Sequence, residues 1–423
     1  MEKFVIEGKQ KLEGEVKISG SKNAALPIIA ASIMGEGKTI LHNIPNLKDV
    51  QTILKILNYM GVKTKFENNV LEIDPSGIYQ FTAPYEFVST MRGSICLLGP
   101  LLAKYKTAKF SMPGGCVIGP RPIDLHLKGL KKLGVKIENE EGYIVGKVED
   151  KLKGNIVFLG GNFGSSVLAT ANVMCAATLA EGETIIEFAA CEPEIVDLAN
   201  FLKKMGAKIY GEGSHLIRIE GVKKLKGTEY TIIPDRIEAG TYILAGYITK
   251  SRIKISGVIT HHLLSLFDKI EESGLEINFG DTYVETIPKE KWKAIEITTL
   301  PYPGFPTDLQ AQIMSFLTLA DGVSLITEKV FPERFIHVGE LNRLGADITL
   351  DGSKAIIKGV SSLKGAKVMA SDLRASAALV LAALAAEGTT EISRIYHLDR
   401  GYEKFEKKLS DLGAKIKRVK EET

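Results

Sequence analysis

One thiol stands in the least core-like stretch of this chain. The segment Pro113-Gly114-Gly115-Cys116-Val117-Ile118-Gly119-Pro120-Arg121-Pro122 sets three Gly and three Pro around Cys116, a composition that reads as a mobile lid. A lid exposes the thiol, and Arg121 close by favours its ionised, reactive form. Two kinds of chemistry stay open for it: the thiolate is a nucleophile and the thiol is a proton donor. Cys96, Cys175 and Cys191 read instead as small buried hydrophobes.

A second set of candidates lies at the starts of apolar helices: Lys22-Asn23, Arg92, Ser165-Ser166, Asp235-Arg236 with Glu238, Asp308, and Asp372 with Arg374. Arg121, Arg334 and Arg400 open the helices that follow. Asp and Ser at such positions are ordinary caps. Cations are not, because at a helix N-terminus they oppose the dipole by about 0.3–1 kcal/mol. A bound anion resolves that conflict, and arginine forks hold phosphate or carboxylate bidentately. A multiply anionic small molecule is therefore expected in a cleft onto which these helix starts converge. His126 is open between lining that cleft and a structural role. Other motifs carry less. Gly35-Glu36-Gly37-Lys38-Thr39 imitates the end of a P-loop, but it follows a helix and Ser32 stands at the first glycine position, so it reads as a turn. His261-His262 lacks any H-E-x-x-H context, and no metal site is expected.

The elements that must position these residues recur. Gly61, Gly134, Gly206, Gly274, Gly345 and Gly413 lie roughly 70 residues apart, each after a helical pattern and before an alternating one. Each fits the residue after a helix C-cap, where φ > 0 favours glycine. Earlier in each copy comes a helix apolar nearly all round: Ala24 to Met34, Gly93 to Ala103, Val167 to Ala180, Gly240 to Thr249, Leu309 to Ala320 and Arg374 to Ala386. A helix without a polar face must be buried on every side, so the helices belong inside and the strands outside. The fold class expected is α/β, a two-lobed inside-out α/β barrel of six roughly 70-residue repeats. One lobe takes residues 20–229 with the Cys116 loop; the other takes 1–19 plus 230–423, since domains usually stay below about 250 residues.

The 423 residues carry 54 basic and 51 acidic side chains, a net charge of +3. That balance argues against a sequence-independent grip on nucleic acid or an anionic membrane. The N-terminus lacks a basic segment followed by an apolar run, and no apolar stretch is long enough to span a bilayer. The four cysteines are far apart with no C-x-x-C pair, so neither a disulfide framework nor a zinc knuckle is indicated. A reducing, cytoplasmic location is expected.

Gly20-Ser21-Lys22-Asn23-Ala24-Ala25, Pro113-Gly114-Gly115-Cys116, Gly119-Pro120-Arg121-Pro122, Phe305-Pro306-Thr307-Asp308, Asp372-Leu373-Arg374-Ala375 and Asp399-Arg400-Gly401-Tyr402 resemble the UDP-N-acetylglucosamine 1-carboxyvinyltransferases of the enolpyruvyl transferase family, along essentially the whole chain. The cysteine loop separates that family from its relative acting on shikimate 3-phosphate. The resemblance implies an addition–elimination between phosphoenolpyruvate and the sugar 3-hydroxyl of UDP-N-acetylglucosamine, with release of phosphate. It implies no cofactor, and a place as first committed step of peptidoglycan precursor synthesis. By the same resemblance Lys22, Asn23, Arg121 and Arg400 would hold phosphoenolpyruvate. Asp308 would take the hydroxyl proton, and Cys116 would protonate the methylene carbon and also be able to form a covalent adduct. Asn23, Arg92, Arg121, Pro122, Ile123, Asp124, Leu125, Gly164, Ser165, Ser166, Val167, Asp308 and Val330 would bind the nucleotide sugar, with Arg334, Asp372 and Arg374 in support. One departure stands out: the family's Ser-Val-Gly-Ala-Thr reads Ser166-Val167-Leu168-Ala169-Thr170 here, and leucine lacks the backbone freedom of glycine. Asp308→Asn is expected to leave the fold intact.

Fosfomycin, the epoxide that targets the cysteine of the family this chain resembles, is expected to add a single mass increment on the peptide containing Cys116. Labelling spread over all four thiols in the mass spectrum would count against a poised Cys116.

Overall fold

A computed structural model describes residues 2–111 and 123–420. Cys116, Arg121 and Pro122, three of the residues singled out above, lie outside the described residues. Among those described, the chain forms two compact units: residues 20–111 with 123–233, and residues 2–19 with 234–420. Each has its own apolar core, one running from Ala24 to Ile232 and the other from Phe4 to Ile416.

One sheet pattern is used throughout. In the first unit, Ile156–Phe158 runs parallel to Glu183–Glu187, which is antiparallel to Leu216–Glu220, which is antiparallel to Lys208–Tyr210. The apolar helix Val167–Thr178 lies between the two parallel strands in sequence, because parallel neighbours need a crossover. The same order recurs with Thr82–Ala83, Thr107–Ser111, Tyr143–Lys147 and Lys136–Glu140, and with Glu229–Thr231, Thr39–His42, Val70–Asp74 and Lys63–Glu67. In the second unit it recurs three times. There Gly14–Lys17 pairs with Ile253–Ser256, and Glu2–Glu7 sits between Thr389–Ser393 and Lys415–Lys420. The architecture is α/β, made of separate open sheets; none closes into a barrel among the described residues. The unit boundary falls after Ile233, a few residues later than the sequence suggests. Residues 230–233 stay with the first unit because strand Glu229–Thr231 pairs with Thr39–His42.

The apolar helices are enclosed as their composition demands. Every residue from Arg374 to Ala385 of helix Leu373–Ala385, and from Ile237 to Ile248 of helix Arg236–Ile248, is buried. The helices between strands, such as Pro193–Lys204, bury one stripe and end at a glycine of positive φ, Gly206 at 110°. No helix among the described residues is long and apolar enough to cross a membrane. Two helix starts differ from the sequence reading: Arg92–Leu97 and Thr307–Leu309 are tight 3₁₀ turns that lead into the α-helices Leu98–Tyr105 and Gln310–Leu317. Arg92 and Asp308 therefore project from turns rather than from α-helical first turns.

Close helix approach in the first unit depends on Gly99, where a Cβ would meet the Asn172 carbonyl oxygen at 2.2 Å. Asn172 Oδ1 accepts from the Gly99 amide at 2.6 Å, and its Nδ2 donates to Ile95 O at 2.9 Å and to His126 Nδ1 at 2.8 Å. His126 is thus a neutral acceptor inside the unit, 5% exposed, which settles it as structural. Burial, aided by the charge of Arg92, depresses its pKa from 6.5 to about 3.

Gly99→Ala is expected to destabilise the protein by about 1–3 kcal/mol through overpacking, read as a drop of several degrees in a calorimetric melt. Because His126 binds its proton less tightly when folded, its contribution to stability is lost as pH falls from about 6.5 towards 3. His126→Gln, which keeps an acceptor for Asn172, is expected to flatten the fall in melting temperature between pH 6.5 and 4.

Candidate active site

In the first unit, Ser21 caps helix Lys22–Ala31 by accepting from the Ala24 amide at 3.3 Å. This leaves Lys22 on the first turn, against the dipole. The buried carboxylate of Asp49, from the first turn of helix Lys48–Tyr59, answers that charge at 3.4 Å. Gly93, beside Arg92, packs under Leu26 of the Lys22 helix, where a Cβ would come within 3.0 Å of the leucine. The starts bearing Lys22, Asn23 and Arg92 are therefore neighbours, and all three side chains are half-buried.

A second group assembles around the hairpin of Gly160–Gly161 and Gly164–Ser165. Gly161 lies beneath Leu125, its would-be Cβ 3.0 Å from a leucine methyl. The segment of Ile123, Asp124 and Leu125 at the start of helix Asp124–Lys132 is thereby brought to the loop of Gly164, Ser165, Ser166 and Val167. Ser166 caps helix Val167–Thr178 through the Ala169 amide. Ser165 Oγ is buried with no hydrogen-bond partner among the described residues. Leu168 sits within the first turn of this regular helix, where φ is negative for any residue, so the loss of glycine leaves the loop backbone unhindered.

In the second unit the centre is Asp308. Its Oδ1 accepts from Arg334 Nη1 at 2.9 Å and its Oδ2 from Arg374 Nη2 at 2.9 Å. Arg334 is 6% exposed and Arg374 2%. Burial works against the charge on Arg374, yet Asp308, Tyr402 and Asp235 together hold its pKa above the ordinary arginine value. The guanidinium lies over the Tyr402 ring, 5.4 Å from its centroid. The Tyr402 hydroxyl meets Thr241 Oγ1 at 2.8 Å and accepts from Gln312 at 3.1 Å, and Gln312 also donates to the Asp308 carbonyl at 2.9 Å. Asp372 is a cap, accepting from the Arg374 and Ala375 amides. Arg400 closes the 3₁₀ turn Ile395–Arg400, and Gly401 after it presses on Leu373, which sets that turn against the Arg374 helix. Neighbouring Asp399 is taken up by Arg418 at 2.6 and 3.1 Å.

These contacts correct one expectation. Asp308 caps no helix; it is a carboxylate paired with two buried arginines, so Asp308→Asn is expected to leave more positive charge uncompensated inside the unit, at a cost of roughly 3 kcal/mol. Sequence reasoning did not single out Asp49, which pairs with Lys22, Thr307, which accepts from Arg334, Gln312, which donates to the Asp308 carbonyl, or Glu328, which accepts from Thr307. Glu328 was detectable in principle: Ser324, Ile326 and Glu328 share the inward register of strand Val323–Glu328, so an acidic residue falls where the strand is buried. Cys96, Cys175 and Cys191 are buried, and burial raises all three thiol pKa values, that of Cys96 to about 12.

The family model described as EPSP synthase (3-phosphoshikimate 1-carboxyvinyltransferase) matches residues 6–409. The chain is 53% identical over 421 residues to the UDP-N-acetylglucosamine 1-carboxyvinyltransferase 2 of Carboxydothermus hydrogenoformans, covering 99% of this chain and 100% of that one. It is 52% identical to the UDP-N-acetylglucosamine 1-carboxyvinyltransferase of Methylacidiphilum infernorum, covering 99% of each. In fold it is similar to the enolpyruvyl transferase NikO from Streptomyces tendae, with a TM-score of 0.90 at 24% identity over 99% of both chains. The EPSP synthase from Acinetobacter baumannii gives 0.77 at 20% identity over 99% of this chain and 100% of that one. With one model spanning nearly its whole length and relatives more than half identical from end to end, the chain belongs to the EPSP synthase family of 1-carboxyvinyltransferases.

Proposed function

We infer that the chain transfers the enolpyruvyl group of phosphoenolpyruvate to the 3-hydroxyl of UDP-N-acetylglucosamine, releasing phosphate, in the cytoplasm and as the first committed step of peptidoglycan precursor synthesis. The observation that carries this reading is identity above 50% along the full chain to relatives bearing that activity in their names. The fold alone would not distinguish it from the shikimate 3-phosphate enzyme.

The residue roles are carried over from the family resemblance, and the grip of Arg334 and Arg374 on Asp308 supports one of them. In the addition step the sugar hydroxyl oxygen bonds to the central carbon of phosphoenolpyruvate, its proton passes to Asp308, and the methylene carbon gains a proton from the Cys116 thiol. In the elimination step that carbon returns a proton to the Cys116 thiolate and the C–O bond to phosphate breaks, which regenerates the double bond; the phosphate leaves with the proton that Asp308 had taken. Lys22, Asn23, Arg121 and Arg400 hold the phosphate and carboxylate of phosphoenolpyruvate, stabilising charge as it moves. Arg92, the segment from Arg121 to Leu125, the loop from Gly164 to Val167, and Val330 take the nucleotide sugar. Arg334 and Arg374 orient Asp308, and Asp372 secures the helix that carries Arg374. The reading extends to architecture: each unit comprises three copies of one sheet-and-helix repeat, with the apolar helices inside and the sheets outside, an inside-out arrangement.

Phosphate release is expected only when phosphoenolpyruvate and UDP-N-acetylglucosamine are both supplied. Equal release with shikimate 3-phosphate would move the chain to the sister activity, and tight binding of the nucleotide sugar without turnover would make it a sensor. Asp308→Asn is expected to lower kcat, per folded molecule, by at least about 10²-fold, together with a lower melting temperature.

A further inference from the structure

Behind Asp308 lies a carboxylate whose every contact is a donor. Glu328 ends strand Val323–Glu328 and is 0% exposed. Its Oε1 accepts from Thr299 Oγ1 at 2.6 Å and from the amides of Val330 and Phe331, each at 2.9 Å. Its Oε2 accepts from Thr307 Oγ1 at 3.0 Å. Thr307 in turn accepts from Arg334 Nη1 at 3.1 Å, and the same nitrogen donates to Asp308 Oδ1 at 2.9 Å.

We propose that Glu328 is a positioning residue for the transfer reaction, acting through Thr307 and Arg334 on Asp308 and, through its other oxygen, on the backbone of Val330 and Phe331. The inference rests on the reading of Asp308 as the base. The Thr307 hydroxyl has one proton. Glu328 claims it, so the threonine oxygen turns its lone pairs to Arg334. The two hydrogens of Nη1 are then divided between Thr307 and Asp308, which fixes the plane of the guanidinium and hence the carboxylate it grips. Only a carboxylate satisfies this set, being an acceptor at both oxygens; an amide would turn a donor towards Thr307, whose oxygen already receives Arg334. Burying an anion among neutral donors is costly, and merely closing the turn at Val330 would not require one.

The two oxygens have separable duties, which makes the proposal testable in the full chain. Glu328→Gln keeps a carbonyl oxygen for Thr299, Val330 and Phe331 but reverses polarity at Thr307. It is expected to lower kcat roughly 30- to 100-fold, the scale of a small misplacement of a catalytic group, with both KM values within about twofold. Glu328→Ala releases the Val330 turn as well and is expected also to raise KM for UDP-N-acetylglucosamine. Thr307→Val, which leaves Glu328 in place, should reproduce the kcat loss, and the Glu328→Gln/Thr307→Val double variant should be no slower than the slower single one. The proposal is overturned if Glu328→Gln turns over like the parent protein while Asp308→Asn is inactive, or if the two single losses multiply in the double variant. An active Asp308→Asn would instead sink the base assignment beneath it.

Discussion

A helix with no polar face leaves its ends as the only place for chemistry. That constraint governs this molecule: helices such as Arg236–Ile248 and Leu373–Ala385 are enclosed along their length, and nothing charged survives in their middles without a partner. The polar residues of each unit are accordingly driven to the turns that lead into these helices, where free amides also favour anions. Lys22, Arg92, Ser165, Asp308 and Arg374 all occupy such positions. The packing that makes the core and the placement that makes the site are thus one solution to one problem.

Within that arrangement the second unit concentrates its cost in a small volume. Arg334 and Arg374 are nearly inaccessible, and Asp308 is the carboxylate that both of them grip. Tyr402 supplies a ring face to Arg374, and burial raises the pKa of its phenol so that it remains neutral. Such an assembly tolerates replacement poorly, since each member satisfies another. Asp308 therefore carries structural weight in this unit whatever else it does.

Much of this was legible in the residues. Apolar helices, amphipathic helices and the recurring glycine could be read because burial imposes periodicity, and Gly206 has the positive φ that its place after a helix requires. The cations at helix starts were legible because they violate a local preference. What escaped has physical reasons too. The 3₁₀ turns at Arg92 and Thr307 have no distinct composition, and the pairing of Glu229–Thr231 with Thr39–His42 joins strands far apart in sequence. Asp49 and Glu328 looked like ordinary acidic residues; their meaning comes from a lysine and a threonine supplied by other elements. His126 was ambiguous until Asn172 was seen to donate to it.

The strand Glu2–Glu7 leaves the ribosome nearly four hundred residues before its partners on either side, Thr389–Ser393 and Lys415–Lys420, are made. Synthesis proceeds at about 5–20 residues per second, so for tens of seconds this strand has no edge to join. Among the described residues the unit of residues 20–233 pairs its strands only with one another, so it can close while its companion still waits for Lys415–Lys420. During that interval Phe4 and Ile6, which later face the core, are exposed on an unpaired strand of the kind that chaperones bind.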